Sequence, residues 1–398
     1  MSKDRILFVD NPLMTIRNNP QTVNSLQDKW DLEIVGSGAE ALKALQEHSF
    51  QVIVSEMITS DMNADQLLKE VSELYPGIVR FILSSCADKR LIMKTMEYVH
   101  QFIAKPCDPN TLRKIINNSI DMRSILKSDG IFNTISSIKS LPSPPKIFKQ
   151  LAVELQSQDV SIHKVADLIK QDVSITVKLL QMINSAFFGL KAHIQNPLHA
   201  INLLGLDTVK SLVLAVGAFN QFDDPKVPGF SIESIYNRSV SISACARTYA
   251  TILGLPHSED ALIAGMLHDV GKLVMLTHFK TAFSESIKLA KSNSIPLYQA
   301  QIEILDVSDA EIGAYLLSLW GLSDSILEAV ALHYMPHKMP SPMINVLTTV
   351  HLAYAIDYDK QNNIQDDENS ALDMEYLTKL NLTNQISNLR NFSMAAVS

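Results

Sequence analysis

At 398 residues the chain exceeds the usual size of a single hydrophobic core, and 46% apolar residues are enough to fill more than one. A formal net charge of −8 excludes a domain-wide basic surface, so nucleic acid is not an expected partner. No apolar run approaches bilayer-spanning length, "LVLAVGAF" (212–219) being among the longest, and "MSKDRILFVD" enters a strand pattern instead of a signal peptide's apolar core. A cytoplasmic protein without membrane insertion is therefore expected.

From residue 5 to about 125, "RILFVD", "DLEIVGS", "FQVIVSEM", "RFILSS" and "QFIAKP" read as strands. Between them "GAEALKALQEH", "NADQLLKEVSELY" and "ADKRLIMKTMEYV" carry apolar residues at helical spacing. Strands alternating with helices predict an α/β, doubly wound parallel sheet covered on both faces, with ligands beyond the carboxyl ends of its strands. Asp10, Glu56, Ser84 and Lys105 fall at those ends. The three cysteines, Cys86, Cys107 and Cys245, lack CxxC spacing, which indicates neither a disulfide framework nor a thiolate metal site.

Residues 126–145 mix polar side chains, a glycine and prolines, and read as a linker containing part of a helix. From 146 to 398 the pattern is all-α, with a core to about 340 and a C-terminal helical extension over 341–398. Helical windows follow at 146–156, 161–170, 173–186, 197–204, 207–220, 231–253, 258–275, 280–292, 296–304, 309–319, 323–334 and 343–356. A polar loop (357–371) precedes a last amphipathic segment, "MEYLTKLNLTNQISNLRN".

"ILFVDN" (6–11), "VIVSEM" (52–57), "ILSS" (82–85) and "FIAKP" (102–106), in that order, resemble the receiver domain of bacterial response regulators, which has a flavodoxin-like fold. The resemblance implies an acidic pair and an aspartate that hold Mg²⁺ while the aspartate accepts phosphate, with a hydroxyl and a lysine on the phosphoryl oxygens. Here Asp10 is kept, Asn11 stands in place of the second acid, and Glu56 stands in place of the phosphoacceptor. An amide weakens a Mg²⁺ site, and a carboxylate one methylene longer is out of line with a phosphoryl donor, so phosphorylation is not expected. Lys105 is expected to pair with the remaining carboxylates, and Ser84 to hydrogen-bond nearby. Two readings stay open: Glu56 as a permanent charge that mimics the phosphorylated state, or a decayed site on a docking module.

In "AGMLHDVGK" (264–272), His268 and Asp269 form the adjacent pair with which metal-dependent phosphohydrolases begin a site. A metal there needs further ligands from other helices, and Asp309 and His333 are placed to project toward the pair. With "LPSPPKIFKQL", "DVSITVKLLQMINSAFFG", "PLHAINLLGLDTVKSLVL", "AEIGAYLLSLWGL" and "HYMPH", this segment resembles the HDOD domain, an HD-related output domain of bacterial signalling proteins. The resemblance puts Arg238 in place of an earlier ligand histidine, Asp309 in place of the third-ligand histidine, and Tyr354 in place of a later aspartate, with Asp357 one turn beyond. A guanidinium only donates and brings like charge to a dication site, so Arg238 is expected to pair with Asp269 or Asp309, and His268 to orient Asp269 by a hydrogen bond. No metal or other cofactor is expected; a metal, if bound, would be held by His268, Asp269, Asp309 and His333.

The remaining histidines His193, His199, His257, His278, His337 and His351 are single, and Trp320 falls on an apolar face. Phe187 and Phe188 offer rings to a ligand or to packing, and Met335 and Met339 an adaptable surface. The expected whole is a non-catalytic signal-transduction regulator. A pseudo-receiver (1–125) controls an HDOD output domain that binds signalling proteins, cyclic-dinucleotide enzymes among those the resemblance implies, with a homodimer as one arrangement. The rivals are an HD-type phosphohydrolase or cyclic-nucleotide phosphodiesterase, and a nucleotide-binding sensor.

Overall fold

The structure, a computed structural model, describes residues 3–10, 20–84, 95–126, 128–139, 141–142, 145–156, 159–184, 194–210, 213, 227–256, 258–364 and 370–395. The chain divides into two compact units. One comprises Met1–Ser140, Lys178–Ile194 and Ser318–Gly321; the other comprises Leu141–Val177, Gln195–Leu317 and Leu322–Ser398.

In the first unit the apolar runs become β1 (Arg5–Val9), β2 (Asp31–Val35), β3 (Val52–Ser55), β4 (Val79–Ser84) and β5 (Gln101–Ala104). All pair in parallel, in the order β2-β1-β3-β4-β5. Continuous apolar runs suit strands covered on both faces: Ile6 to Val9, Val52 to Val54 and Phe81 to Leu83 are all buried. Helices Gly38–Glu47 and Ala64–Leu74 match the periodicity, whereas Pro20–Gln27 and Pro109–Ile125 had no counterpart among the helical windows. Most of the expected helix over 87–99 lies outside the described residues.

The expected linker contains a helix, Asp129–Ser136, that buries Ile131, Phe132 and Ile135 within this unit. Arg80 of β4 anchors it: the guanidinium donates to the carbonyl oxygens of Ser136 (3.0 Å), Ile78 (2.8 Å) and Tyr98 (2.7 Å). The Arg80 amide donates to His100 Nδ1 (2.9 Å), which leaves the ring proton on Nε2, donated to the Ser136 carbonyl at 2.8 Å.

In the second unit, helix Ile232–Ile252 starts in a capping box formed by Ser231 and Ser234, and Val346–Gln361 in one formed by Asn345 and Thr348. Helix Ser258–Leu267 packs on Ile232–Ile252 at Gly265, where a Cβ would lie 2.8 Å from Ser243 Cα. One continuous helix was expected over 258–275; instead Ser258–Leu267 ends and Val270–His278 begins around Asp269, whose φ −99° and ψ 14° leave helical geometry. The break redirects the chain so that Gly271 meets helix Asp309–Leu319, with a Cβ there only 1.8 Å from the Asp309 carbonyl oxygen. Of the expected helix 207–220, most residues lie outside the described set. The final amphipathic segment is split into Met374–Lys379, a 3₁₀ turn and Ile386–Ala395.

Candidate functional site

Parallel strands direct their carboxyl ends to one edge, and there Asp10 follows β1, Glu56 follows β3, Ser84 closes β4 and Lys105 follows β5. Asp10, Glu56 and Ser84 are buried. The Lys105 ammonium forms an ion pair with Glu56 Oε1, and its backbone amide donates to the Ser84 carbonyl at 3.0 Å. Burial lowers the Lys105 pKa and the Asp10 carboxylate acts against that shift. Asn11 lies outside the described residues. Of the positions that would hold Mg²⁺, Glu56 thus has one carboxylate oxygen engaged by a cation.

The second site is built at the helix break. Asp269 directly precedes helix Val270–His278, Lys272 lies in that helix's first turn, and the Gly271 contact brings Asp309 alongside. The Lys272 ammonium pairs with Asp269 Oδ1, stands 3.4 Å from Asp309 Oδ2, and donates to the Tyr334 hydroxyl at 2.7 Å. Tyr334 in turn donates to Asp309 Oδ2 at 3.0 Å. His268 and His333 meet edge to face with ring centroids 5.3 Å apart, and the Tyr354 ring lies 5.1 Å from His333. The structure thereby brings His268, Asp269, Asp309, His333 and Tyr354 together, with Lys272 and Tyr334 among them.

Two expectations need correction. Arg238 does not pair with Asp269 or Asp309: its Nε donates to Asp357 Oδ2 at 2.9 Å, and the guanidinium lies over the Tyr354 ring at 5.1 Å. Asp357 is one helical turn beyond Tyr354, and Lys272, three residues after Asp269, already takes both inner carboxylates. Nor does His268 hydrogen-bond Asp269. Its Nδ1–H donates to the Gly265 carbonyl at 2.7 Å, so the bare Nε2 faces Asp269 Oδ1 at 3.3 Å with no hydrogen between them.

Burial pushes the His268 pKa down to about 4, and His333 is likewise held well below the usual imidazole range. Burial alone would raise Asp269, but His268 first, then Lys272 and Arg238, outweigh it and hold the carboxyl low. Asp309 is raised by burial, with Lys272 opposing. The Arg238 pKa is raised although burial acts the other way, because Asp269, Tyr354 and Asp357 favour its charge.

His268 and His333 each fix Nδ1 on a backbone carbonyl and present a bare Nε2, which is a ligand-like posture. The carboxylates decide against a metal. Both are engaged by Lys272, and a buried lysine and the half-buried Arg238 already face Asp269, Asp309 and Asp357, so a dication would add to a charge that is largely balanced. Among the described residues no group of three or more His, Cys, Asp or Glu is arranged to share an ion. The donor set does not fit a bound metal.

Lys272 and Tyr334 were not singled out from the sequence, although the three-residue spacing of Asp269 and Lys272 was a signal for contact on a helix. His351 is buried beneath His333: it accepts from the Asp373 amide at Nε2 (3.0 Å) and donates from Nδ1 to the His333 carbonyl (2.8 Å). His199, His278 and His337 are exposed, Trp320 is buried, and Met335 and Met339 are half-buried. Cys107 is half-buried and Cys245 buried, both as free thiols. Cys86, Phe187, Phe188, His193 and His257 lie outside the described residues.

Family models match twice: the response regulator receiver domain over residues 6–117 and the HDOD domain over 141–336. An uncharacterized protein of Treponema pallidum (strain Nichols) is 26% identical over 227 residues, 54% of this chain and 42% of that protein. The regulatory protein LuxO of Vibrio vulnificus is 28% identical over 100 residues, 25% of this chain and 22% of its own length. The chain therefore spans less than half the length of these relatives. Among solved structures, the MmoQ response regulator of Methylococcus capsulatus str. Bath is 20% identical with a TM-score of 0.49, covering 63% of this chain and 98% of that one.

Proposed function

We propose that this chain, which matches the response regulator receiver domain over residues 6–117 and the HDOD domain over 141–336, is a signal-transduction regulator that acts by binding and not by catalysis. The observation that carries the proposal is Lys272, whose ammonium engages Asp269 and Asp309, the two carboxylates this chain would have to offer a metal beside His268 and His333. In the receiver, the Glu56–Lys105 ion pair supports a pocket that carries fixed charge without phosphate turnover. The output would be contact with other signalling proteins, cyclic-dinucleotide enzymes or a second copy of this chain among them.

One observation favours the hydrolase reading: the bare Nε2 atoms of His268 and His333. Metal analysis decides between the two. Protein incubated with excess Mn²⁺ or Zn²⁺ and desalted is expected to retain less than stoichiometric metal and to leave a phosphodiester substrate intact; retention of one ion or more per chain, lost in His268→Ala, overturns the proposal. Intact-mass measurement after acetyl phosphate and Mg²⁺ is expected to show no added phosphoryl group.

A further inference from the structure

Outside the Tyr334–Tyr354 pair that covers the buried cluster lies a cavity of about 660 Å³, within the size range of small-molecule sites. Four tyrosines line it: Tyr298, Tyr334, Tyr354 and Tyr358. Tyr298 and Tyr334 are stacked with centroids 4.7 Å apart and an interplanar angle of 12°, while Tyr354 and Tyr358, one helical turn apart, are tilted at 6.0 Å. Ser294, Asn362 and Ser370 add hydrogen-bonding groups. Lys291 is the one charged side chain among the described lining residues, and no carboxylate is among them.

We propose that this cavity binds a planar heteroaromatic ligand of the nucleobase class, stacked on the Tyr298–Tyr334 pair. Ring faces are sequence-tolerant platforms for bases, and amide and hydroxyl groups can read a polar ring edge. An aliphatic chain would leave those polar groups unmatched. Tyr334 gives the buried cluster a role. Its hydroxyl is held between the Lys272 ammonium and Asp309 Oδ2 and its ring backs Tyr298, so the stacked pair is fixed before the ligand arrives. The lysine-bridged carboxylates then act as an anchor for a binding surface. This inference extends the binding reading to a small ligand and does not depend on protein partners.

The test uses the full chain, with adenosine, guanosine, cytidine and uridine as probes and choline as the cationic alternative, in calorimetric titration and thermal shift. At least one nucleoside is expected to bind and to raise the melting temperature with concentration. Tyr298→Leu, at a half-buried position, should weaken binding about tenfold or more. Tyr334→Phe should weaken it several-fold by releasing the ring, and Ala290→Trp, which fills the cavity from helix Lys280–Asn293, should abolish it. Absence of binding by every nucleoside at millimolar concentration, unchanged affinity in Ala290→Trp, or preference for choline overturns the proposal. Metal content measured on the same samples keeps this result separate from failure of the preceding reading.

Discussion

Lys272 carries the helical site, because it is the shared cation of two buried carboxylates and also holds Tyr334. Removing one partner of a buried charge pair leaves the other uncompensated, so Lys272→Met is expected to lower stability by about 3–5 kcal/mol, measured by urea unfolding. His268 sets an acid dependence. Its folded pKa of about 4 lies below the unfolded value of 6.5, so its contribution is fully present above pH 6.5 and is lost as pH falls toward 4. Asp309 has the opposite sign: with a raised folded pKa it gains by protonation in the folded state as pH falls, and so offsets part of the loss. The urea midpoint of the protein should fall between pH 6.5 and 4, and His268→Asn should fall less steeply, by up to one proton or about 1.4 kcal/mol per pH unit.

Helix crossings place those side chains, and glycines set how close the crossings are. A Cβ at Gly271 would meet the Asp309 carbonyl oxygen at 1.8 Å, which is backbone and cannot rotate away. Gly271→Ala must therefore separate helices Val270–His278 and Asp309–Leu319, and is expected to reduce soluble yield or lower the melting temperature sharply. Gly130→Ala is the control: its Cβ would meet only Ser128 Oγ, at 3.6 Å, in helix Asp129–Ser136. There the exchange should be neutral or stabilising by up to about 1 kcal/mol through helix propensity. If both exchanges behave alike, close approach at Gly271 is not what positions Asp309. The expected helix 258–275 failed at this level, since its apolar residues continue through the motif while the backbone turns to satisfy the contact with Asp309.

Two compact units with separate cores need not melt together. Arg80→Met keeps side-chain length but leaves the Ile78 and Tyr98 carbonyls without that donor and takes one of two donors from the Ser136 carbonyl, at a cost of about 2 kcal/mol or more. Scanning calorimetry should then show two transitions, one lowered by Arg80→Met and the other by Lys272→Met; a single transition moved equally by both would mean that the cores unfold as one.

The parallel sheet and the site at its strand ends were legible in the residues, because buried strands demand continuous apolar runs and the polar residues closing them have one edge to occupy. The gathering of His268, Asp269, Asp309, His333 and Tyr354 was legible through resemblance, residue by residue. Which cation meets which carboxylate was not: Lys272 lies three residues from Asp269, yet its reach to Asp309 exists only because Gly271 lets two helices touch. Arg238 was assigned to the wrong acid for the same reason, since ion pairing follows distances across helices and a linear chain carries no record of them.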